Sequence, residues 1–475
     1  MPRFLLVVLL CCVNVAPVFG DPLQSLPPAL ARALQASGIA PSDVSVFVQR
    51  IGARRPAIAF NADVPRDPAS TMKLLSMFVA LEELGPAYRW RTAAFSNAPI
   101  VHGVLRGNLY LKGYADPYFI TKSFWKLLHG LRAMGIRTIT GNLVVDTSYL
   151  HLTRADRGTI DGMTAEPYNT DPSALSVNFQ AIDFRFIPHP HQGHLQIVAD
   201  PRPTNLSIVN HVRLVRARCS AWDRRVGLRI MHAPFADRVV FSGAYPVSCG
   251  DSNYYRVVDS ASRYVYGVFR ELWRQQGGSF HGALDEADVP PHMRRLYQVR
   301  SQPLAEVLYD IDKYSNNLMA REVVMTLGAQ AYGLPGTTAK GLAAIRAWLK
   351  SHGFRFPELV LQNGVGLSRT ERISARHLGQ LLLYAYNSRY MPELIASLPI
   401  AGVDGTLQYR FLRGPVRGRL HAKTGTLDRV KSLAGYLDAR SGKRYVIVCI
   451  DNGARAETAA EMRWERAVVY WAYGH

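Results

Sequence analysis

Cysteine is scarce: five in 475 residues, and two of them, Cys11 and Cys12, fall within the first twenty positions. Long apolar runs are scarce too. After the N-terminal segment no stretch of eighteen apolar residues occurs, which excludes a membrane-spanning helix from the rest of the chain. Acidic residues are few, 36 against 56 Lys and Arg, leaving a formal charge of +20. Yet no five basic residues stand in a row, which argues against a dedicated nucleic-acid arm. Low-complexity tracts and internal repeats are also missing, and with 48% hydrophobic residues the chain can bury a large core. At this length two or three domains are expected.

What is present begins with an export signal over residues 1–20. Arg3 supplies the positive start, Phe4 to Val13 the apolar run, and Val18-Phe19-Gly20 precedes a cut at Asp21. That run is too short to cross a bilayer. A lipoprotein site at Cys11 or Cys12 is disfavoured, because Leu10 and Cys11 are not small. The mature protein is therefore expected to be exported and soluble. Export leads to an oxidising compartment, where disulfides persist. Cys219 and Cys249 lie in a polar middle region, whereas Cys449 lies in the apolar strand Tyr445–Ile450, so a Cys219–Cys249 bridge and a buried, reduced Cys449 are expected. The positive charge suits a polyanionic surface such as cell wall or anionic lipid, or simply solubility.

Local patterns divide the chain. Val44–Val48 and Ala57–Phe60 read as a hairpin, and a helix follows Pro68-Ala69-Ser70 as far as Gly85-Pro86. From about 86 to 290 short alternating segments and turns dominate, with one clear helix near Phe124 to Met134. Helical periodicity returns over Leu304–Leu327, Lys340–Lys350 and Ala375–Tyr386; strands at Leu420–Thr426, Ser432–Leu437 and Tyr445–Ile450 then precede a last helix. The reading is an α+β fold: residues 21–85 and 291–475 form a core of antiparallel sheet covered by helices. Residues 86–290 form a β-rich insert, with about 97–165 nested inside the rest as a subdomain.

Three motifs carry chemistry. Ser70-Thr71-Met72-Lys73 places a hydroxyl and an amine three residues apart at a helix start, hence on one face. A lysine can activate that serine if burial or nearby positive charge lowers its pKa. The spacing recurs at Ser123-Phe124-Trp125-Lys126, and Ser-x-Asn occurs twice, at Ser176-Val177-Asn178 and Ser315-Asn316-Asn317. Lys423-Thr424-Gly425 is unique and lies on an expected strand, where glycine leaves room for a substrate backbone.

In that order the motifs resemble those of the serine penicillin-binding proteins and β-lactamases. Both Ser70–Ser315–Lys423 and Ser70–Ser176–Lys423 satisfy the order. Ser315 is preferred because it sits between two apolar helices, while Ser176 falls in the β-rich insert. The segments Gly113–Pro117, Gly141–Asp146, Pro172–Asn178, Gly364–Arg369 and Ala422–Leu427 narrow the resemblance to the low-molecular-mass penicillin-binding proteins of the type-four group, D-alanyl-D-alanine carboxypeptidases and endopeptidases. Asn363 and Val365 depart from that pattern outside the three motifs.

The resemblance implies Ser70 as nucleophile, Lys73 as base, and Ser315 with Asn317 relaying protons and positioning substrate. It implies Lys423 and Thr424 on the terminal carboxylate, an oxyanion hole of the Ser70 and Thr426 N–H groups, and no metal or cofactor. It implies peptidoglycan stem peptides as substrate, β-lactams as inhibitors and a periplasmic site of action, with no nucleic acid and at most peripheral membrane contact. Fast deacylation would instead make a β-lactamase, and a fold retained without turnover would make a wall-binding or penicillin-sensing module. His189, His191 and His194 read as an exposed hairpin loop rather than a metal site, and the aromatics of the insert as core packing.

Overall fold

The computed structural model describes residues 26–157, 160–233 and 236–475; residues 1–20, the expected signal, lie outside them together with Cys11 and Cys12. At the centre of one half is a five-stranded antiparallel sheet. The hairpin Val44–Arg50 and Ile58–Phe60 pairs with Arg444–Asp451, then Val430–Asp438, then Leu420–Leu427 at the far edge. Along Arg444–Asp451, Val446, Val448 and Ile450 face one apolar cluster and Tyr445, Ile447 and Cys449 face another. Both faces are covered, so this strand is apolar at successive positions and shows no alternation.

The first cluster holds the helices Lys73–Leu84, Leu304–Tyr314, Asn317–Tyr332, Thr338–Ser351 and Ala375–Tyr386. The second holds Pro28–Ser37 against Ala459–Tyr473. Lys73–Leu84 is buried at every position from Lys73 to Leu81, as expected of a helix surrounded by neighbours. This is the α+β architecture of sheet between helical layers, and it fixes the Lys73–Leu84 helix deep in the molecule.

The remaining half is mostly β, and its described residues form four sheets of three to five strands around an apolar cluster that includes Phe124, Phe184, Phe241 and Trp273. Its boundaries differ from the sequence reading in two ways. Arg295–Arg300, assigned above to the core, pairs antiparallel with Arg91–Phe95, so the insert's sheet runs on to residue 300. The nesting is also reversed. Ser279–Phe280 and Leu284–Glu286 pair in parallel with Thr138–Ile139 and Leu143–Asp146, so the strands from Ala181 to Val257, not residues 97–165, lie inside the larger unit. Parallel partners need a long crossover, which local alternation does not reveal. A second helix, Ala261–Gln275, also belongs to this half; it buries Tyr264, Val265, Val268, Phe269, Leu272 and Trp273 along one stripe.

Cys219 and Cys249 are bonded to each other, 30 residues apart, and Cys449 is free and buried. The histidine segment forms the tip of the hairpin Ala181–His189 and His194–Asp200, where the rings of His189 and His194 stack and His189 bonds Gln196.

Candidate active site

The turn before the buried helix is held from several sides. Ala69, with φ of 43°, takes the left-handed backbone, and its N–H donates to Asp67 Oδ1 at 2.9 Å. Asp67 exchanges two hydrogen bonds with the side chain of Asn452, and Ser432 Oγ donates to the Pro68 carbonyl at 2.6 Å. The Ser70–Lys73 turn is thereby tied to the sheet. Ser70 is partly exposed and Lys73 fully buried.

Lys73 Nζ has three partners: Ser70 Oγ at 3.0 Å, Asn317 Oδ1 at 2.5 Å and the Val365 carbonyl at 2.8 Å. Asn317 Oδ1 is an acceptor, because its Nδ2 donates to the Tyr168 carbonyl at 3.3 Å. A neutral amine offers two N–H donors and one lone pair. Two donors saturate the amide and the carbonyl, which leaves the lone pair for the Ser70 hydroxyl proton. Burial holds the Lys73 pKa well below the usual lysine value, and the charge of Lys423 lowers it further.

The second wall is a corner between two helices. Leu304–Tyr314 ends at Ser315, whose φ of 58° turns the chain, and Asn316 caps the next helix by accepting from the Met319 N–H at 3.1 Å. Ser315 Oγ accepts from Lys423 Nζ at 2.9 Å, so this corner joins the first and third motifs. The third wall is the edge strand Leu420–Leu427. The Ala422 N–H bonds outward to Pro399, and alternation then turns the N–H groups of Thr424 and Thr426 toward the same open edge. A Cβ at Gly425 would stand 2.9 Å from Ser70 N and 2.7 Å from the Pro68 carbonyl, so only glycine lets the strand and the Ser70 turn approach. Thr424 Oγ1 donates to Thr406 Oγ1 at 2.7 Å, and Thr426 Oγ1 accepts from Lys431.

Two carboxylates support the site without any motif. Asp312 is fully buried; burial pushes its pKa up to about 6 against the opposing pull of Lys423, and Ser397 Oγ donates to it at 2.8 Å. Burial lowers Lys423 to about 8, and Asp312 moderates the drop. Glu371, also buried, accepts from the N–H groups of Gln362, Asn363, Gly364 and Gly366. It therefore shapes the loop whose Val365 carbonyl anchors Lys73. Its only sequence signal was proximity to the glycine-rich turn Gly364–Arg369.

Ser70, Lys73, Ser315, Asn317, Lys423 and Thr424 thus come together. The other copies of the motifs do not join them. Asn178 bonds the N–H and hydroxyl of Thr121, at the start of helix Thr121–Ala133, and Ser176 is buried with no partner for its hydroxyl among the described residues. Lys126 stands exposed on that same helix. Beside Ser315 and Asn317 opens a cavity of about 910 Å³, with walls of Tyr118, Phe179, Trp222 and Tyr255 from the insert.

A serine beside a desolvated lysine, under an edge strand bearing Lys-Thr-Gly, defines a serine acyl-transfer enzyme of the penicillin-recognising class. The chain belongs to the D-Ala-D-Ala carboxypeptidase 3 (S13) family, whose model matches residues 26–473, and it is accordingly a serine D-alanyl-D-alanine peptidase. It is 25% identical to the D-alanyl-D-alanine carboxypeptidase DacB of Haemophilus influenzae over 423 residues, 87% of this chain and 86% of that one. It is 28% identical to a D-alanyl-D-alanine carboxypeptidase of Actinomadura over 393 residues, 79% and 71% of the two chains. In fold it matches the crystal structure of penicillin-binding protein 4 (dacB) of H. influenzae, with a TM-score of 0.77, 24% identity, and 94% and 99% of the chains covered. A second structure of that protein, bound to a β-lactam, matches at 0.74 with 23% identity.

Proposed function

We propose that Ser70 attacks the carbonyl of the penultimate D-alanine while neutral Lys73 takes its hydroxyl proton. The oxyanion settles between the N–H groups of Ser70 and Thr426. Lys423 and Thr424 bind the terminal carboxylate. As the C–N bond breaks, the proton that Lys73 took passes through the Ser315 hydroxyl to the leaving amine, and Asn317 holds both Lys73 and the substrate amide. Water then hydrolyses the ester, returning Ser70 and its proton. The observation that supports this reading is the placement of Lys73 Nζ within hydrogen-bond distance of Ser70 Oγ, Asn317 Oδ1 and the Val365 carbonyl: a neutral amine that donates to the last two keeps its lone pair for Ser70.

Penicillins would acylate Ser70 in the same way and so inhibit the enzyme. Cross-linked stems, cut as an endopeptidase cuts them, form part of the proposal. The cavity beside Ser315 leaves room for substrate beyond a single stem's end. Peptidoglycan as substrate, the sequence of residues 1–20 and the Cys219–Cys249 bridge together support an exported, periplasmic enzyme. No helix among the described residues is long and apolar enough to cross a membrane. The test is release of D-alanine from a D-alanyl-D-alanine peptide, and of monomers from cross-linked muropeptides, by the purified mature chain. Loss of both in Ser70→Ala is expected; turnover that survives this substitution refutes the assignment.

A further inference from the structure

One surface of the insert carries positive charge with almost no acidic residue to balance it. Between Leu206 and Pro246 the chain carries seven arginines and no lysine, against Asp223 and Asp237 alone. These residues form the three-stranded sheet of Leu206–Val215, Asp237–Pro246 and Val226–Met231. One face of it is core: Val212, Val226, Val239, Phe241 and Tyr245 are buried, with Phe241 packed edge-on to Phe184 and Phe186. Alternation sends the intervening residues to solvent.

Register lays out that outer face row by row. Met231, Arg238 and Ser207 are neighbours; next come Arg229, Val240 and Val209; then Gly227, Ser242 and His211. Arg225, whose carbonyl bonds the Ala244 N–H, completes the last row with Ala244 and Arg213. The face thus presents Arg213, Arg225, Arg229 and Arg238, all exposed, with His211 and no carboxylate. None of the four forms an ion pair among the described residues, whereas Asp237, on the other face, is taken by Arg263 and His232. Arg216, Arg218 and Arg224 flank the sheet in the connection that the Cys219–Cys249 bridge ties down. Unpaired like charges on one face repel one another, and they gain by meeting an external anion.

We infer that this sheet face docks on a membrane surface of anionic phospholipids. The choice of lipid rests on what lies between the arginines. Val209 and Val240 form an apolar centre, and Met231 beside them is 44% exposed. A polymer of phosphates would be served by charge alone. A headgroup layer takes both, with guanidinium groups on the phosphodiesters and short apolar side chains at the boundary with the acyl chains. Trp222, in the same disulfide-braced connection, lines the cavity beside Ser315, so a chain docked in this way keeps its cleft next to the contact.

The experiment is co-sedimentation of the mature protein with vesicles of phosphatidylglycerol and phosphatidylcholine, against phosphatidylcholine alone, at low and high salt. Binding to the anionic vesicles only, weakened by salt, is expected. The variant carrying Arg213→Gln, Arg225→Gln, Arg229→Gln and Arg238→Gln should lose affinity by more than about a hundredfold. It should keep its melting temperature and its turnover of a short soluble peptide. A charge-matched variant with Arg346→Gln, Lys350→Gln, Arg355→Gln and Lys443→Gln, all exposed elsewhere, should bind nearly as the parent does. Should the first variant fold poorly, Met231→Asp alone carries the test, with weaker vesicle binding expected. Three results overturn the inference: equal binding to both vesicles, equal loss in the two fourfold variants, or binding to a soluble polyphosphate without binding to vesicles.

Discussion

Two four-residue segments share the spacing Ser-x-x-Lys, and only one stands where chemistry can occur. Ser70–Lys73 opens a helix buried on all sides, and its amine meets an amide, a carbonyl and a hydroxyl. Ser123–Lys126 rides an amphipathic helix whose apolar side, Phe124, Leu127 and Leu128, enters the insert's core while Lys126 faces water. Spacing brings two groups to one face; desolvation lowers the pKa of one of them, as the proposed base requires. The two Ser-x-Asn segments teach the same lesson. Asn317 bonds a buried lysine, and Asn178 bonds the start of a helix.

The comparison can be broken most severely at the lysines. Lys73→Ala should lower the rate of penicillin acylation by about 10²–10⁴-fold, the usual worth of a positioned base. Lys126→Ala should leave it unchanged. The second-order acylation rate of each variant, with a melting curve, decides the point.

Next come the Ser-x-Asn pairs. Ser315→Ala and Asn317→Ala should each lose about a hundred- to a thousandfold in acylation, or about 2.7–4 kcal/mol. Asn178→Ala should acylate normally but melt earlier, because the Thr121 N–H loses its acceptor; about 1 kcal/mol is expected. Loss of rate in Ser176→Ala and Asn178→Ala with normal rates in the other pair would reverse the assignment.

Titration sharpens the contrast further. Lys73 must be neutral to act, so acylation falls as the pH drops through its lowered pKa. Lys423 must be charged to hold a carboxylate, so acylation also falls as the pH rises through about 8. The rate should therefore pass through a maximum, and the alkaline limb should vanish in Lys423→Arg, whose side chain stays protonated. A limb that persists in that variant would remove Lys423 from the role.

A smaller effect is expected at Glu371. Glu371→Gln replaces a pure acceptor by an amide whose N–H₂ opposes backbone donors, at about 1–3 kcal/mol of stability. Acylation should drop with it, because the Val365 carbonyl no longer holds Lys73 in place; Glu371→Asp should recover part of that loss.

Much of this was legible in the sequence, and the omissions follow a physical pattern. The motif order, the strands near both ends of the core and the split between core and insert are local or pairwise features. Asp312 and Glu371 are not, since a lone carboxylate becomes functional only once folding buries it beside lysines or backbone N–H groups. The order of nesting depended on parallel partners more than a hundred residues apart. The helix Ala261–Gln275 was hidden by its own composition, where arginines and tyrosines dilute a stripe that the fold makes plain.

The central claim is that burial, not spacing, selects the nucleophile. It is tested most directly by exposing the purified chain to a penicillin and mapping the adduct by mass spectrometry. One acyl group per chain is predicted, on the peptide containing Ser70, absent from Ser70→Ala and retained in Ser123→Ala. An adduct on the Ser123 peptide, or one that survives Ser70→Ala, would contradict it.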